Sequence, residues 1–251
     1  MWSISSASAQ GQVYFNEGRN NQDVAKSWTD GKVALGIIND GCHGPNNPRL
    51  QSEVGAQLSN NFLFRKASEE LVRGTKPNLI PKLLFPAYVD YLWWQVESQL
   101  YNNVDEKINF ISQYLMCTTI AVLADETEVT YFWAGDGLIY LNDVVYRILN
   151  PESLNRPKYP AYHLCEIYGE TNAEIISLLP NGFEQEDFSA DSVVAAGISS
   201  DGLSILPHLM DELKAHSQSS FSLQMCLNRI AVIRSETSDN VSTVFLNKVE
   251  S

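Results

Sequence analysis

Hydrophobic positions along this chain follow two rhythms. The first is a set of short, almost unbroken apolar runs rich in branched residues, at 33–38, 115–124, 128–133 and 193–198. Runs of this length, bounded by Gly, Asp and Asn, predict buried β-strands. The second rhythm places apolar residues three or four apart. It starts at Ser52, a candidate N-cap, passes through Val54, Leu58, Phe62, Leu71 and Val72, and stops at Gly74. That spacing predicts an amphipathic helix ended by glycine.

The rest of the chain is read in the same way. Residues 2–8 alternate weakly and predict an edge strand, and 10–22 read as a polar loop. Residues 23–28 and 32–39 predict two strands joined through Thr29-Asp30-Gly31, a hairpin signal. Helices are expected at 79–101, with prolines near its start, and at 105–114. Strands then follow at 115–124, 128–133, 138–141 and 144–149, with turns at Asp125-Glu126-Thr127 and Asn142-Asp143. Residues 150–191 are interrupted by Pro151, Pro157 and Pro160, with one strand expected at 175–179. They read as a candidate variable flap. A strand at 193–198, helices at 203–216 and 221–230, and a strand at 240–246 close the chain. This order lacks the regular strand–helix alternation of a parallel sheet. It predicts an α+β fold of antiparallel sheets with helices packed outside, in a single domain over residues 1–251.

Composition narrows the function. The 251 residues can bury one large core, and 44% hydrophobic content is too high for a disordered chain. Lys+Arg 17 against Asp+Glu 30 gives a net charge of -13, which argues against nucleic acid or an anionic membrane as partner. The same balance suits a site for divalent cations. The cysteines, Cys42, Cys117, Cys165 and Cys226, are widely spread and read as free thiols. Met1 to Gln10 has neither a basic start nor a sustained apolar core, and the apolar stretch 79–94 is broken by Pro81, Lys82, Pro86 and Asp90. The expectation is a cytoplasmic protein with no membrane span. Trp93-Trp94, on the helix expected at 79–101, predicts one ring in the core and one on the surface.

The apolar runs end on acids. Asp40-Gly41 follows the first run, Asp136-Gly137 follows 129–134, Asp201-Gly202 follows 193–198, and Asp239 precedes the last strand. A carboxylate at a strand end sits on a rigid element, and the adjacent glycine lets backbone or ligand approach. Asp30-Gly31 is read as a turn and nothing more. Asp23 with the others forms a set of aspartates collected from scattered strand ends. Carboxylates and carbonyls are hard oxygen ligands that suit Mg²⁺ or Mn²⁺. The histidines, His43, His163, His208 and His216, show no zinc-ligand spacing. Two hard cations about 3.5–4 Å apart can share and acidify a water. Gly197-Ile198-Ser199-Ser200-Asp201 is a poor nucleophile elbow, because Asp201 stands where its second glycine belongs. The chain has no phosphate-binding P-loop and no dinucleotide fingerprint.

The motifs Asn21-Gln22-Asp23, Asp40-Gly41, Cys117-Thr118-Thr119, Gly135-Asp136-Gly137, Ser200-Asp201-Gly202 and Asp239-Asn240 occur in an order and spacing that resemble the metal-dependent Ser/Thr protein phosphatases, the PPM or type 2C family. Each motif is short, their joint order is more specific, and the resemblance runs from about residue 18 to 246. It implies a four-layer αββα sandwich and a protein-serine/threonine phosphatase. It also implies direct hydrolysis of phosphoserine or phosphothreonine esters by a water bridging two Mn²⁺ or Mg²⁺ ions. By the resemblance, Asp40 bridges the ions with the Gly41 carbonyl on one of them, Asp201 and Asp239 hold the other, and Asp23 hydrogen-bonds the metal-bound water. Asp136 matches a weaker third-metal position. The chain also departs from the pattern. Arg19 stands one position closer to Asp23 than the family's phosphate-binding arginine, and reads either as that group or as a loop arginine. In Asp40-Gly41-Cys42-His43-Gly44 a cysteine precedes the histidine, so His43 is a candidate general acid or a bystander. Gly137-Leu138 replaces a common Ser-Arg. The sequence around 42–56 looks like a divergent bacterial branch, and the departures leave open a pseudophosphatase acting as a regulatory binding module. The expected partner is a phosphorylated protein. Its identity and the oligomeric state do not follow from the motifs.

Overall fold

The apolar runs are strands, and they are unbroken because both of their faces are covered. The computed structural model describes residues 1–42, 52–149, 157–169, 172–204 and 206–249. One sheet has the spatial order β2 (Asp23–Thr29), β3 (Ala34–Asp40), β4 (Thr119–Ala124), β5 (Glu128–Ala134), β8 (Glu184–Ser189). The other has the order β1 (Trp2–Ala9), β10 (Val241–Lys248), β9 (Ala195–Ser199), β6 (Gly137–Leu141), β7 (Val144–Ile148). Every neighbouring pair is antiparallel.

Alternation along β3 shows how the layers stack. Leu35 and Ile37 pack outward with Leu63 of α2 (Ser52–Val72) and Leu84 and Leu92 of α3 (Ile80–Glu97). Ala34 and Ile38 pack inward with Ile198 and Val244 of the facing sheet. On the far side, Leu138, Tyr140 and Phe245 pack with Leu213 of α7 (Leu209–Ala215) and with Leu223 and Leu227 of α8 (Ser220–Asn228). The result is the α+β, αββα sandwich that the resemblance implies, with one core between the sheets and one under each helix layer. Among the described residues no helix is long and apolar enough to cross a membrane.

Tight turns set the register at one end. Asp30 Oδ1 accepts from the amides of Lys32 and Val33 at 2.9 and 3.0 Å, and closes the β2–β3 hairpin. Asn142 and Asp143 adopt φ of 47° and 69°, as a two-residue type I′ turn demands between β6 and β7. At the other end, buried amides tie strands to helices. Asn60 of α2 donates to the Ile37 carbonyl and to Asn39 Oδ1, both at 3.1 Å, and Asn39 Nδ2 donates to the Thr118 carbonyl at 2.9 Å. This pins the end of β3, next to Asp40, against the start of β4. Asn60→Asp replaces that donor by a charged acceptor facing carbonyl oxygens. It is expected to cost about 3 kcal/mol, read as a lower urea midpoint at unchanged slope.

Several expectations need correction. Residues 175–179 do not form a strand. They overlap α6 (Ala173–Ser177), whose N-cap Asn172 accepts from the amide of Glu174. The strand in that region is β8, whose sequence Glu-Gln-Glu-Asp-Phe-Ser lacks an apolar run. The expected loop at 10–22 contains α1 (Gln12–Asn16), and α5 (Tyr162–Ile167) was not expected. The helix expected at 105–114 is α4 (Val104–Phe110) followed by a π-turn at Ile111–Leu115, so the strand expected from 115 starts at Thr119. The helix expected at 203–216 is a 3₁₀ turn (Asp201–Leu203) and then α7. Trp93 and Trp94 are 42% and 59% exposed, so neither ring is core.

Candidate active site

Strand register brings the acids together. Asp23, the first residue of β2, lies directly opposite Asp40, the last of β3. In the other sheet β9 ends at Ser199 and leads into Ser200 and the Asp201–Leu203 turn, while Asp239 lies just before β10, the neighbour of β9. Asp136 occupies the link by which the chain leaves β5 and enters β6 in the other sheet. That link needs its flanking glycine. Gly137 has φ +142°, and a Cβ there would stand 2.2 Å from Ile120 Cδ1 and 2.6 Å from the Ser199 carbonyl oxygen. Gly202 is equally tight, since a Cβ would stand 2.1 Å from the Asn240 carbonyl oxygen.

Asp40, Gly41, Asp136, Asp201 and Asp239 line one cavity of about 290 Å³, together with Tyr14, Cys42, Thr118, Pro157 and Tyr159. Asp23 is only 5% exposed and is held behind the cavity by the second sheet. Ser200 Oγ donates to Asp23 Oδ2 at 2.6 Å, and the same oxygen accepts from the Ser242 amide of β10 at 2.9 Å. Among the described residues Asp23 Oδ1 finds no donor.

The electrostatics follow from that packing. Burial, together with Asp201 and Asp239, pushes the Asp23 carboxyl up to about 7, although the Ser200 hydrogen bond pulls the other way. Burial, then the charges of Asp23, Asp201 and Asp239, hold the Asp40 carboxyl well above the usual range. Burial and then Asp239 raise Asp201. Asp40 is within hydrogen-bonding reach of both Asp23 and Asp201. Burial and mutual repulsion therefore favour protonated carboxyls across this cluster when no cation is present.

These residues fit hard cations. Among the described residues, the cavity lining contains carboxylates and hydroxyls but neither Lys nor Arg, and Asp23 presents a buried oxygen with no donor. That donor set suits Mg²⁺ or Mn²⁺ rather than zinc. Among the described residues no three His, Cys, Asp or Glu side chains are arranged as ready-made ligands of one ion. A cation binding among these acids would compete with protons for their oxygens.

Arg19 lies beside the cavity wall, not in its lining. Its guanidinium sits 4.7 Å above the Tyr14 ring and pairs with Glu17 at 3.0 Å. His43 lies outside the described residues.

The fold matches solved structures along its whole length. The serine/threonine phosphatase Stp1 from Staphylococcus aureus aligns with a TM-score of 0.62 at 14% identity, covering 100% of this chain and 96% of that one. The catalytic domain of the serine threonine protein phosphatase PstP, in complex with two manganese ions, aligns at 0.58 and 14% over 99% of each chain. The PPM Ser-Thr phosphatase MsPP from Mycobacterium smegmatis, in complex with cacodylate, aligns at 0.56 and 16% over 98% of each chain. This chain has the PPM phosphatase fold. No family model and no curated protein matches the sequence.

Within the PPM fold, the cavity holds residues to which the motif reading gave no role. Ser200 and Thr118 stand inside quoted motifs, and their place beside the acids comes from the sheet pairing. Tyr14 and Tyr159 had no signal, since each arrives from a segment read as loop. Burial raises the Tyr159 hydroxyl well above its usual range, helped by Cys42, Asp40 and Asp136.

Proposed function

We propose that this chain is a metal-dependent phosphoprotein phosphatase acting on phosphoserine and phosphothreonine esters. The observation that carries the reading is the convergence of Asp23, Asp40, Asp201 and Asp239 at one end of a PPM sandwich, with neither Lys nor Arg among the described residues of the cavity lining. A phosphate monoester dianion cannot approach such a lining unless cations neutralise it. The manganese-bound PstP neighbour supports that choice of ion. Asp40 would span two Mn²⁺ or Mg²⁺ ions, with the Gly41 carbonyl on one and Asp201 and Asp239 on the other, and Asp136 would serve a third. Ions bound there would neutralise the carboxylates, polarise the phosphoryl group and acidify a water.

The chain's own residues supply the rest. Asp23, oriented by Ser200, accepts a hydrogen bond from the attacking water. Arg19, at the cavity edge, binds phosphate oxygens, and His43 is the candidate acid for the leaving alkoxide. Residues 1–251 would act as one domain, with 150–191 as its variable flap.

Hydrolysis of p-nitrophenyl phosphate tests this. Turnover is expected only with added Mn²⁺ or Mg²⁺, and to fall at least about a hundredfold with excess chelator. Undiminished turnover in chelator overturns the reading. A second reading, a binding module with little or no turnover, rests on the Arg19–Glu17 ion pair, which engages the expected phosphate-binding group. Calorimetry separates the two, because a module binds a phosphoprotein without binding Mn²⁺.

A further inference from the structure

Tyr14 is one of the cavity residues that the phosphatase reading leaves without a task. It belongs to α1, where Val13 and Phe15 are 44% and 58% exposed while Tyr14 is 4% exposed. The helix is strapped to the segment that carries Asp239. The amides of Gln12 and Val13 donate to the carbonyls of Thr237 and Ser238 at 3.1 and 3.2 Å, and the Gly11 amide donates to Asn240 Oδ1 at 3.2 Å. The strapping directs the Tyr14 hydroxyl to Asp239, with which it shares a hydrogen bond. The ring meanwhile lies under the Arg19 guanidinium at 4.7 Å, and the Arg19 amide donates to the Tyr14 carbonyl at 2.9 Å. One side chain therefore touches both an acid of the cluster and the cation beside it.

We propose that Tyr14 is a positioning residue for this site, fixing the Asp239 carboxylate through its hydroxyl and seating the Arg19 guanidinium on its ring. The proposal rests on the phosphatase reading. A phenol can only donate to an ionised carboxylate, so the contact acts on Asp239 together with the Asn240 amide, which donates to Asp239 Oδ1 at 2.7 Å. An ordinary phenol is protonated at neutral pH and so able to donate. Stacking on Tyr14 fixes the plane of the guanidinium, and the Glu17 contact fixes its rotation within that plane. Tyr14 touches no reacting atom in this scheme. It acts through two neighbours that do.

Two variants separate the two contacts. Tyr14→Phe removes the hydroxyl and keeps the ring, and Tyr14→Leu removes both. Calorimetric titration with Mn²⁺ alone reads the first contact, and competitive inhibition of aryl phosphate hydrolysis by inorganic phosphate reads the second. Tyr14→Phe is expected to bind Mn²⁺ about tenfold more weakly, with its phosphate inhibition constant unchanged. Tyr14→Leu is expected to show the same Mn²⁺ loss and, in addition, phosphate inhibition weaker by about fivefold. The proposal is overturned if Tyr14→Phe binds Mn²⁺ as the unaltered chain does, or if Tyr14→Leu responds to phosphate as Tyr14→Phe does. Tyr14→Phe retains the ring and its packing, so the Mn²⁺ arm stands even if Tyr14→Leu fails to fold. The unaltered chain is the control. If it binds Mn²⁺ and turns over while the variants match it, only the role of Tyr14 fails. If it does neither, the phosphatase reading fails and takes this one with it.

Discussion

Asp40→Asn is expected to abolish metal-dependent turnover while making the metal-free protein more stable. Asp40 lies at the centre of the acid cluster. Its carboxyl is raised first by burial and then by Asp23, Asp201 and Asp239. Asparagine has nearly the same shape, carries no charge, and offers N–H donors to the Asp23 and Asp201 carboxylates within its reach. Relief of burial and repulsion is expected to be worth about 2 kcal/mol at pH 8, or roughly 5 °C in Tm for a domain of this size. Turnover should fall on the order of a thousandfold, because the carboxylate proposed to hold the cations would be gone. Added Mn²⁺ should no longer raise Tm. An acid whose role was merely structural behaves differently, losing activity and stability together. Calorimetric melting in chelator, with steady-state rates beside it, reads both. A lower Tm for Asp40→Asn, or activity within threefold of the original, sinks the central role of Asp40.

The second large effect concerns pH. Without metal, the protein should lose stability as pH rises from about 4 to above 7. The Asp23 carboxyl moves from 3.8 in the unfolded chain to about 7 in the folded one, and Asp40 and Asp201 are raised as well. The folded chain therefore holds protons that the unfolded chain has released, and the slope of unfolding free energy against pH is negative. This contribution is fully present below the unfolded value near 4 and is lost as pH climbs through 7. At about 1.4 kcal/mol per tenfold, the cluster as a whole accounts for several kcal/mol. The exposed carboxylates of Asp30, Glu70, Glu97 and Glu212 are lowered by their own partners and work in the opposite sense. Their effect is complete above the ordinary carboxylate range and leaves this window alone. Cations compete with the same protons, so 1 mM Mn²⁺ should raise Tm far more at pH 8 than at pH 5. A chelator-treated Tm that climbs steadily from pH 5 to pH 8 would falsify the linkage.

What the sequence made legible follows from burial on both faces. Residues 33–38 and 119–124 read as strands because neither face meets water. Their terminal acids stood out because a buried run leaves few polar positions. β8 was invisible for the opposite reason, as an edge strand with no buried residue that carries Glu184, Glu186 and Asp187 where a core strand carries valine. The run at 175–179 has the length at which short strands and short helices share a pattern, and the cap at Asn172 decided it. Tyr14 was hidden for a third reason. Its place beside Asp239 depends on α1 meeting a segment more than two hundred residues away, a closeness with no local signature. Ser200 was in view as a letter of a motif, but its hold on Asp23 spans the two sheets and exists only once they pack.

The hairpin turns lie at the end of the sandwich away from the acids, and they have no part in any chemistry. They nonetheless act as its gauge. β3 carries Asp40 seven residues from its hairpin, roughly 20 Å along an extended strand. Adding one residue between Asp30 and Ala34 would slide Asp40 about 3.3 Å past Asp23 and turn Leu35 and Ile37 from the helices toward the opposite sheet. Spacing among the acids, on which any pair of ions depends to within tenths of an ångström, is thus calibrated by loops that never meet the substrate.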